Sequence, residues 1–476
     1  MTECRQQKLA FQGLGERRVE ADFDGGFLST DGGGLLLREW EKKINLIEAL
    51  STCFVDGRDH RYVDHSVQEL LAQRVFGLAL GYEDLNDHDR LRLDPLLAVM
   101  VGKVDPLAGQ ARTEGEGQPA LAAHSTLNRL ELGAHKEPDR YHKISARADG
   151  IEDCILEQGV RAIPRRTREI VLDFDATDDP LHGDQEGRFF QGYYRHYCYL
   201  PLYCFCGQIP LWAQLRTSQC DASEGTTEAL EKIVGAIRRR FGRQVRIIVR
   251  ADSGFARDPI MSLCESLPNV YYCIGLARNE RLQRHIEELM EQVREENDGE
   301  GARAFCQFTW RTLDSWSRSR RVIAKAEVLD KGDNPRFIVT SLPEEGFADD
   351  AHAGRFEARC CYERFYCARG DMENRIKEQQ LDMFADRTSS HWMATNQLRL
   401  WLSTVAYMFV ATLRAEVLKA TPLAHATVGS IRLKLLKIAA VVRVSVRRIH
   451  VRFASACPYQ TLFREVLQRI QAFTSA

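Results

Sequence analysis

The feature that most restricts the fold of this chain is a change of period at Glu169. Before it, apolar residues recur at three- and four-residue spacing, as in Val67, Leu70, Leu71, Val75 and Leu78. After it they run together, as in Ile170-Val171-Leu172-Asp173-Phe174-Asp175. A short apolar run bounded by turn residues predicts a buried strand, since a strand covered on both faces has no polar side. Residues 193–206, closed by Gly207, and 209–216 repeat that pattern. Residues 223–240 return to helical spacing, with Ala229, Leu230, Ile233, Val234 and Ile237 on one face. Arg238-Arg239-Arg240 close that helix, where cations suit its dipole. Residues 245–250 and 270–276 predict two further strands.

This order of strands and helices predicts an α/β class with a ribonuclease H-like catalytic domain. The segments around it differ in character. Residues 1–165 read as a mostly helical N-terminal region, with the turn Ser29-Thr30-Asp31-Gly32-Gly33-Gly34 offering Thr30 or Asp31 as a helix cap. Residues 102–123 read as a surface loop and 280–300 as a charged helix. The catalytic core then spans 166–285 and 351–415, with a small β-rich module inserted at 286–350 and a basic helical C-terminal region at 416–476.

Composition bounds the function. Lysine and arginine number 65 against 67 acids, a net charge of −2, which excludes both a wholesale polycation and a long acidic disordered chain. It leaves room for a local basic face. Between Glu416 and Glu465 there is no acid, while Lys419, Arg432, Lys434, Lys437, Arg443, Arg447, Arg448, Arg452 and Arg464 supply nine cations. Such a segment suits phosphate binding through counterion release. The 14 cysteines form no Cys-x-x-Cys pair, so a structural zinc site is not expected. The longest apolar stretch, 398–413, is interrupted by Arg399, Ser403 and Thr404 and reads as a buried helix. With no secretory signal evident, a reducing cytoplasm and no membrane association are expected. His60, His65 and His182 are scattered and read as structural or exposed.

Three acids carry the chemical expectation. Asp175 closes the first strand and Asp252 directly follows the fourth, in Arg250-Ala251-Asp252-Ser253-Gly254. Alone, an aspartate before Ser-Gly is an ordinary turn residue. Two acids at the ends of neighbouring strands, however, form a natural hard-cation site, since Mg²⁺ prefers carboxylate oxygens. The third is Glu373. From Arg369 onward a helix would align Arg369, Glu373, Lys377 and Gln380 on one face.

Tyr366, Arg369 and Glu373 form the pattern Tyr-x2-Arg-x3-Glu. With the phrases around Asp175 and Asp252, Cys198-Tyr199-Leu200-Pro201-Leu202 and Thr388, this resembles the DDE transposases of bacterial insertion sequences, above all insertion-sequence family thirteen-eighty. The likeness runs from about Phe23 to Phe463. One position departs from it: seven residues after the glutamate, where a lysine is expected, stands Gln380, leaving Lys377 as the nearest cation.

The resemblance implies catalytic and metal-binding roles for Asp175, Asp252 and Glu373, holding two Mg²⁺ ions for which Mn²⁺ substitutes. It implies cleavage of DNA ends and transfer of 3′ ends to a target, by a homodimer bound to double-stranded transposon ends. It also implies DNA contact by Tyr366, Arg369 and Lys377, and stacking of an extruded base on Trp316, with Arg318 and Arg320 beside it. Trp310 reads as a packing residue. Arg432, Lys434, Lys437, Arg447 and Arg448 complete the expected DNA surface. A metal-dependent nuclease without strand transfer and a non-catalytic DNA-binding derivative are the two alternatives.

Overall fold

The structure, a computed structural model, describes residues 8–23, 25–109, 118–135, 142–297, 301–350 and 354–474. They form two compact units, one from 1–51, 58–130 and 413–475, the other from 52–57 and 131–412. Residues 110–117 of the expected surface loop and 298–300 of the expected charged helix lie outside the described residues.

The larger unit is built on one nine-stranded mixed sheet, so the α/β expectation holds. Its strands are β1 (Glu169–Ala176), β2 (Leu202–Cys206), β3 (Ile209–Gln214), β4 (Arg246–Ala251) and β5 (Val270–Leu276), then β6 (Ala302–Trp310), β7 (Arg320–Leu329) and β8 (Arg336–Thr340). Their spatial order is β3-β2-β1-β4-β5-β8-β7-β6, with the short strand Gly332–Asp333 paired to β7. β1, β4 and β5 run parallel, and the flanking strands antiparallel. The parallel trio needs crossovers, which the helices α1 (Thr226–Phe241) and α2 (Asp258–Ser266) supply. Ile170, Leu172, Ile247, Ile248 and Ile274 are all 1% exposed or less, the continuous apolar runs having both faces covered. Each such side chain stabilises by about 1.5–3 kcal/mol.

The strands after 300 depart from expectation. They do not stand apart as a small module but continue the main sheet, since β8 pairs with β5 along Cys273↔Thr340 to Leu276↔Phe337. Val322, Ile323, Ile338 and Val339 are fully buried, so these strands have apolar faces that need the same cover as the central ones. One face, through Ile248, Cys273, Ile323 and Ile338, packs with Phe356, Cys361, Tyr362 and Phe365. Residues 280–296 form two helices, Glu280–His285 and Glu287–Glu296. A π-helical turn (Cys361–Tyr366) and a single 3₁₀ turn (Cys367–Arg369) lead into α3 (Gly370–Met383). The long helix Met393–Glu416 follows.

In the smaller unit, Val67–Leu80 is the helix expected from its spacing, started by a reciprocal capping box between Ser66 and Glu69. Asp31 does not cap the next helix. It is 2% exposed, accepts from the Tyr82 hydroxyl at 2.7 Å and pairs with Lys437 at 2.6 Å. A buried carboxylate needs a partner more than a helix end needs a cap. Gly33 follows, where a Cβ would stand 1.7 Å from the Leu435 carbonyl oxygen, so only glycine permits this approach. The C-terminal segment also departs from the helical expectation: β9 (Ala440–Ser445) and β10 (Arg448–Phe453) form an antiparallel hairpin. Val441, Val442 and Val444 in β9 are branched at Cβ and favour a pleated strand over a helix.

Candidate active site

Two of the three acids are placed by the sheet register. β1 and β4 pair in parallel from Arg246↔Glu169 to Ala251↔Phe174. Asp252 and Asp175 are the next step of the same register, so both carboxylates emerge at one sheet edge. Asp175 is the last but one residue of β1. Asp252 turns the chain out of β4, its Oδ1 accepting from the Gly254 amide at 2.8 Å. The turn role and a place at the site are therefore compatible. Gly275 on β5 lets the pieces close up: a Cβ there would lie 2.5 Å from the Tyr366 hydroxyl and 2.8 Å from the Ser253 nitrogen.

Glu373 arrives on the first turn of α3, and Arg369 joins it to the sheet. The Arg369 guanidinium lies 3.4 Å from Asp175 Oδ2 and 3.0 Å from Glu373 Oε1. Asp175 is nearly enclosed, whereas the Glu373 side chain is 48% exposed. Burial pushes the Asp175 carboxyl up to about 7, against the pull of Arg369, and the charges of Asp252 and Glu373 push the same way. Asp175 is thus within electrostatic reach of both other acids. Burial likewise pushes the Tyr366 phenol up to about 12. Beside the Asp252 turn a cavity of about 120 Å³ is lined by Arg278, Arg336, Tyr362 and Tyr366.

A second pair supports the first. Arg250 and Asp173, two residues before each strand's acid, face each other across β1 and β4 in a buried bidentate ion pair of 2.6 and 2.9 Å. Arg250 Nη1 also donates to the Phe365 carbonyl oxygen at 2.5 Å, tying the sheet to the turn that precedes Arg369 and Glu373. The sequence reading missed both residues; the signal was an arginine inside an otherwise apolar strand. It did not single out Asp179 either. Asp179 is fully buried, and burial holds its carboxyl far above the usual range. Gln380 Nε2 donates to Asp179 Oδ1 at 3.1 Å and to the Asp178 carbonyl at 3.2 Å. The amide at this position thus donates to a fully buried acid.

The site matches a divalent cation in the kind of its donors. Its donors are all carboxylate oxygens, the set a hard ion prefers. Burial, and to a lesser extent the neighbouring acids, raise the Asp175 carboxyl despite Arg369, so a further cation beside it would favour its charged form. In this conformation no three acidic, thiol or imidazole groups among the described residues are gathered closely enough to grip an ion. Arg369 stands between two of the acids and supplies the cation itself. The residues fit the ion in kind, and Arg369 holds the place.

Other expected site residues lie elsewhere. Lys377 is exposed on α3. Trp316 departs from expectation: it is 3% exposed and has no free face for a base. The cause is Arg320, which lies over its ring at 5.5 Å and pairs with Asp258 and Glu265, both at 2.7 Å, drawing the loop onto α2. Arg320 is thereby committed, while Arg318 pairs with Glu265 at 3.3 Å and stays 63% exposed. In the smaller unit, Arg432 donates to the Ala79 carbonyl at 2.8 Å, satisfying a helix end, and Lys437 is held by Asp31. Lys434 is half-buried, and Arg447 and Arg448 are exposed. No helix among the described residues is long and apolar enough to cross a membrane.

Compared with known proteins, residues 11–475 match the family model described as transposase DDE domain, group 1. No curated protein matches the chain.

Proposed function

The chain belongs to the family of transposases with a DDE domain, group 1, and from that premise we propose how it works on DNA. It binds the terminal inverted repeats of an insertion sequence of family thirteen-eighty, cuts the DNA at those ends and joins the 3′ ends to target DNA. Asp175, Asp252 and Glu373 are the catalytic carboxylates of a ribonuclease H-like domain. The observation that supports this reading is that Asp175 and Asp252 stand at the ends of adjacent parallel strands while Arg369 pairs with both Asp175 and Glu373, in a chain matched over nearly its whole length.

Those three acids would hold two Mg²⁺ ions, or Mn²⁺ in their place. Divalent ions so bound supply Lewis-acid polarisation of the phosphate and a more acidic attacking water or hydroxyl. The protein's own groups do the rest. Asp175 would hold an ion as its carboxylate, and because burial pushes that carboxyl up to about 7 its binding would depend on pH. Arg369, released from Asp175, turns its fork to a phosphate, a geometry guanidinium matches better than ammonium. Tyr366 backs Arg369 from its half-buried position, and Lys377 and Arg318 touch the DNA backbone. Arg250 and Asp173 hold the turn before α3 so that Glu373 returns to the same place in each cycle.

In the same reading, 1–165 recognises the ends and supports a homodimer in the DNA complex, and 416–476 adds DNA contact through Lys434, Arg447 and Arg448. The enzyme acts in the bacterial cytoplasm, where its double-stranded DNA substrate is. The test is a cleavage and joining assay on DNA carrying the element's ends, with Mg²⁺, comparing the wild type with Asp252→Ala. Cleavage and joining should both vanish in the variant while DNA binding persists. Full cleavage by Asp252→Ala would overturn the catalytic assignment, and cleavage without joining by the wild type would reduce the enzyme to a nuclease.

A further inference from the structure

The hairpin β9–β10 sorts its side chains by charge. Its register pairs Val441 with Arg452, Arg443 with His450 and Ser445 with Arg448. Between these lie Ala440 with Phe453, Val442 with Val451 and Val444 with Ile449. Since side chains alternate across a strand, the first set shares one face and the second the other. The hairpin is therefore a two-sided ribbon, with Arg443, Arg448, His450 and Arg452 on one side and apolar residues on the other.

The apolar side is anchored at its base. Val442 is 1% exposed, and the Phe453 ring packs on Phe463 of the helix Gln460–Ala472 with centroids 5.1 Å apart. β9 also pairs with Leu28–Ser29, which holds the ribbon at that end. The basic side is covered by none of the described residues: Arg443, Arg448, His450 and Arg452 are exposed, as is Arg447 in the turn. None of these arginines forms an ion pair among the described residues. Elsewhere in this unit Arg38, Lys42, Lys103, Lys437 and Arg469 all do. Three unpaired arginines at strand spacing and a fourth in the turn, with no acid between Glu416 and Glu465, make a surface complementary to a polyanion.

We infer that the basic face of β9–β10 is a DNA-binding ribbon that lies on the phosphates of the duplex, with Arg443, Arg448 and Arg452 as its contacts and Arg447 at its tip. Two strands about 4.8 Å apart, with their side chains, suit a groove about 12 Å wide. Contacts of this kind set affinity and orientation and read no sequence. The inference rests on the reading that the chain acts on DNA, and it names a surface that the three acids do not share.

The test measures binding of the full chain to duplex DNA over a range of salt concentrations. Each neutralised phosphate contributes about 0.9 to the slope of log affinity against log salt, so R443Q/R448Q/R452Q should lower that slope by about 2.7. The loss should be equal on end-containing and unrelated DNA. The triple substitution to lysine should keep the slope. R447E, in the exposed turn outside the ladder, should weaken binding without touching the fold, which covers the case where the triple variant fails to fold. V444T/I449T, on the opposite face, should leave the slope unchanged.

An unchanged slope in R447E and in a folded triple variant would overturn the ribbon. So would a loss confined to V444T/I449T, which would assign this surface to a second protein chain. A wild type with no affinity for DNA would sink the functional reading as well. Asp252→Ala separates the two in the other direction: if it cleaves fully while the ribbon variants still bind weakly, the ribbon stands and the catalytic assignment falls.

Discussion

Arg250 and Asp173 touch no reacting group, yet the site depends on them through position. Each is buried, and each is the other's compensation: removing one partner of a buried pair strands a charge at a cost of about 3–5 kcal/mol. Arg250→Met should therefore destabilise the chain by about that amount in urea unfolding. Adding Asp173→Leu should restore most of the stability, because two apolar residues of similar size strand nothing. Cleavage should stay slow in the stabilised double variant, since the donor to the Phe365 carbonyl is still missing; wild-type rates there would reduce the pair to a packing element. Glu41 offers a pH test in the smaller unit. It accepts from the amides of Leu46, Ile47 and Glu48, and burial nonetheless pushes its carboxyl up to about 7. The folded state thus holds a proton that the unfolded chain releases above about 4.3. That contribution is fully present below about pH 4.3 and is lost as pH rises through about 7. Glu41→Gln should gain on the wild type by about 1–2 kcal/mol between pH 5 and pH 8, and an identical pH profile of thermal unfolding would contradict the shift. At this scale the sequence displayed residue types more clearly than environments. Asp175 and Asp252 were legible because they end strands, whereas Asp179 was not, since its burial depends on a distant helix crossing over it.

The element that decides the site is α3, because it brings Glu373 to an edge that the sheet alone would leave with two acids. Its first turn is held through Arg369 and its third through Gln380, the residue standing where the resemblance calls for lysine. Burial holds the Asp179 carboxyl far above the usual range, and the Gln380 amide donates to it without bringing a further charge into a buried place. Gln380→Leu should cost about 1–3 kcal/mol, the usual penalty for leaving a buried acceptor without its donor. It should also lower cleavage more than DNA affinity, since α3 would be less firmly placed. Equal loss in both would mean that Gln380 acts in binding. The strands of the main sheet were readable from their apolar runs, and α1 from its period. The joining of β8 to β5 was not readable, because pairing across more than sixty residues leaves no local mark. The same holds for Trp316: tryptophan followed by arginines looks like a stacking site, and only the buried pairs of Arg320 with Asp258 and Glu265 show that the loop is folded inward.

At the scale of the whole chain, the net charge of −2 conceals a segregation. The acid-free stretch before Glu465 ends as a ribbon with one basic face, while the acidic residues of 280–296 sit on helices of the other unit. The site, by contrast, draws on a single unit: Asp175, Asp252, Arg369 and Glu373 all fall within 131–412. Two of the acids are fixed by adjacent strands of one sheet, and the third is tied to one of them, Asp175, by a helix of the same chain through Arg369. A dimer on DNA would then carry two complete sites rather than one shared between chains. Mixing Asp252→Ala with Glu373→Ala should consequently restore no cleavage at any ratio, although each variant still binds DNA. Adding Asp252→Ala to the wild type should suppress cutting at both ends of one element more steeply than cutting at a single end, because double cutting needs two intact chains in the same complex. Cleavage recovered in the mixture of the two inactive variants would mean that Glu373 reaches the acids of a partner chain, and the tie through Arg369 would not be the one used on DNA.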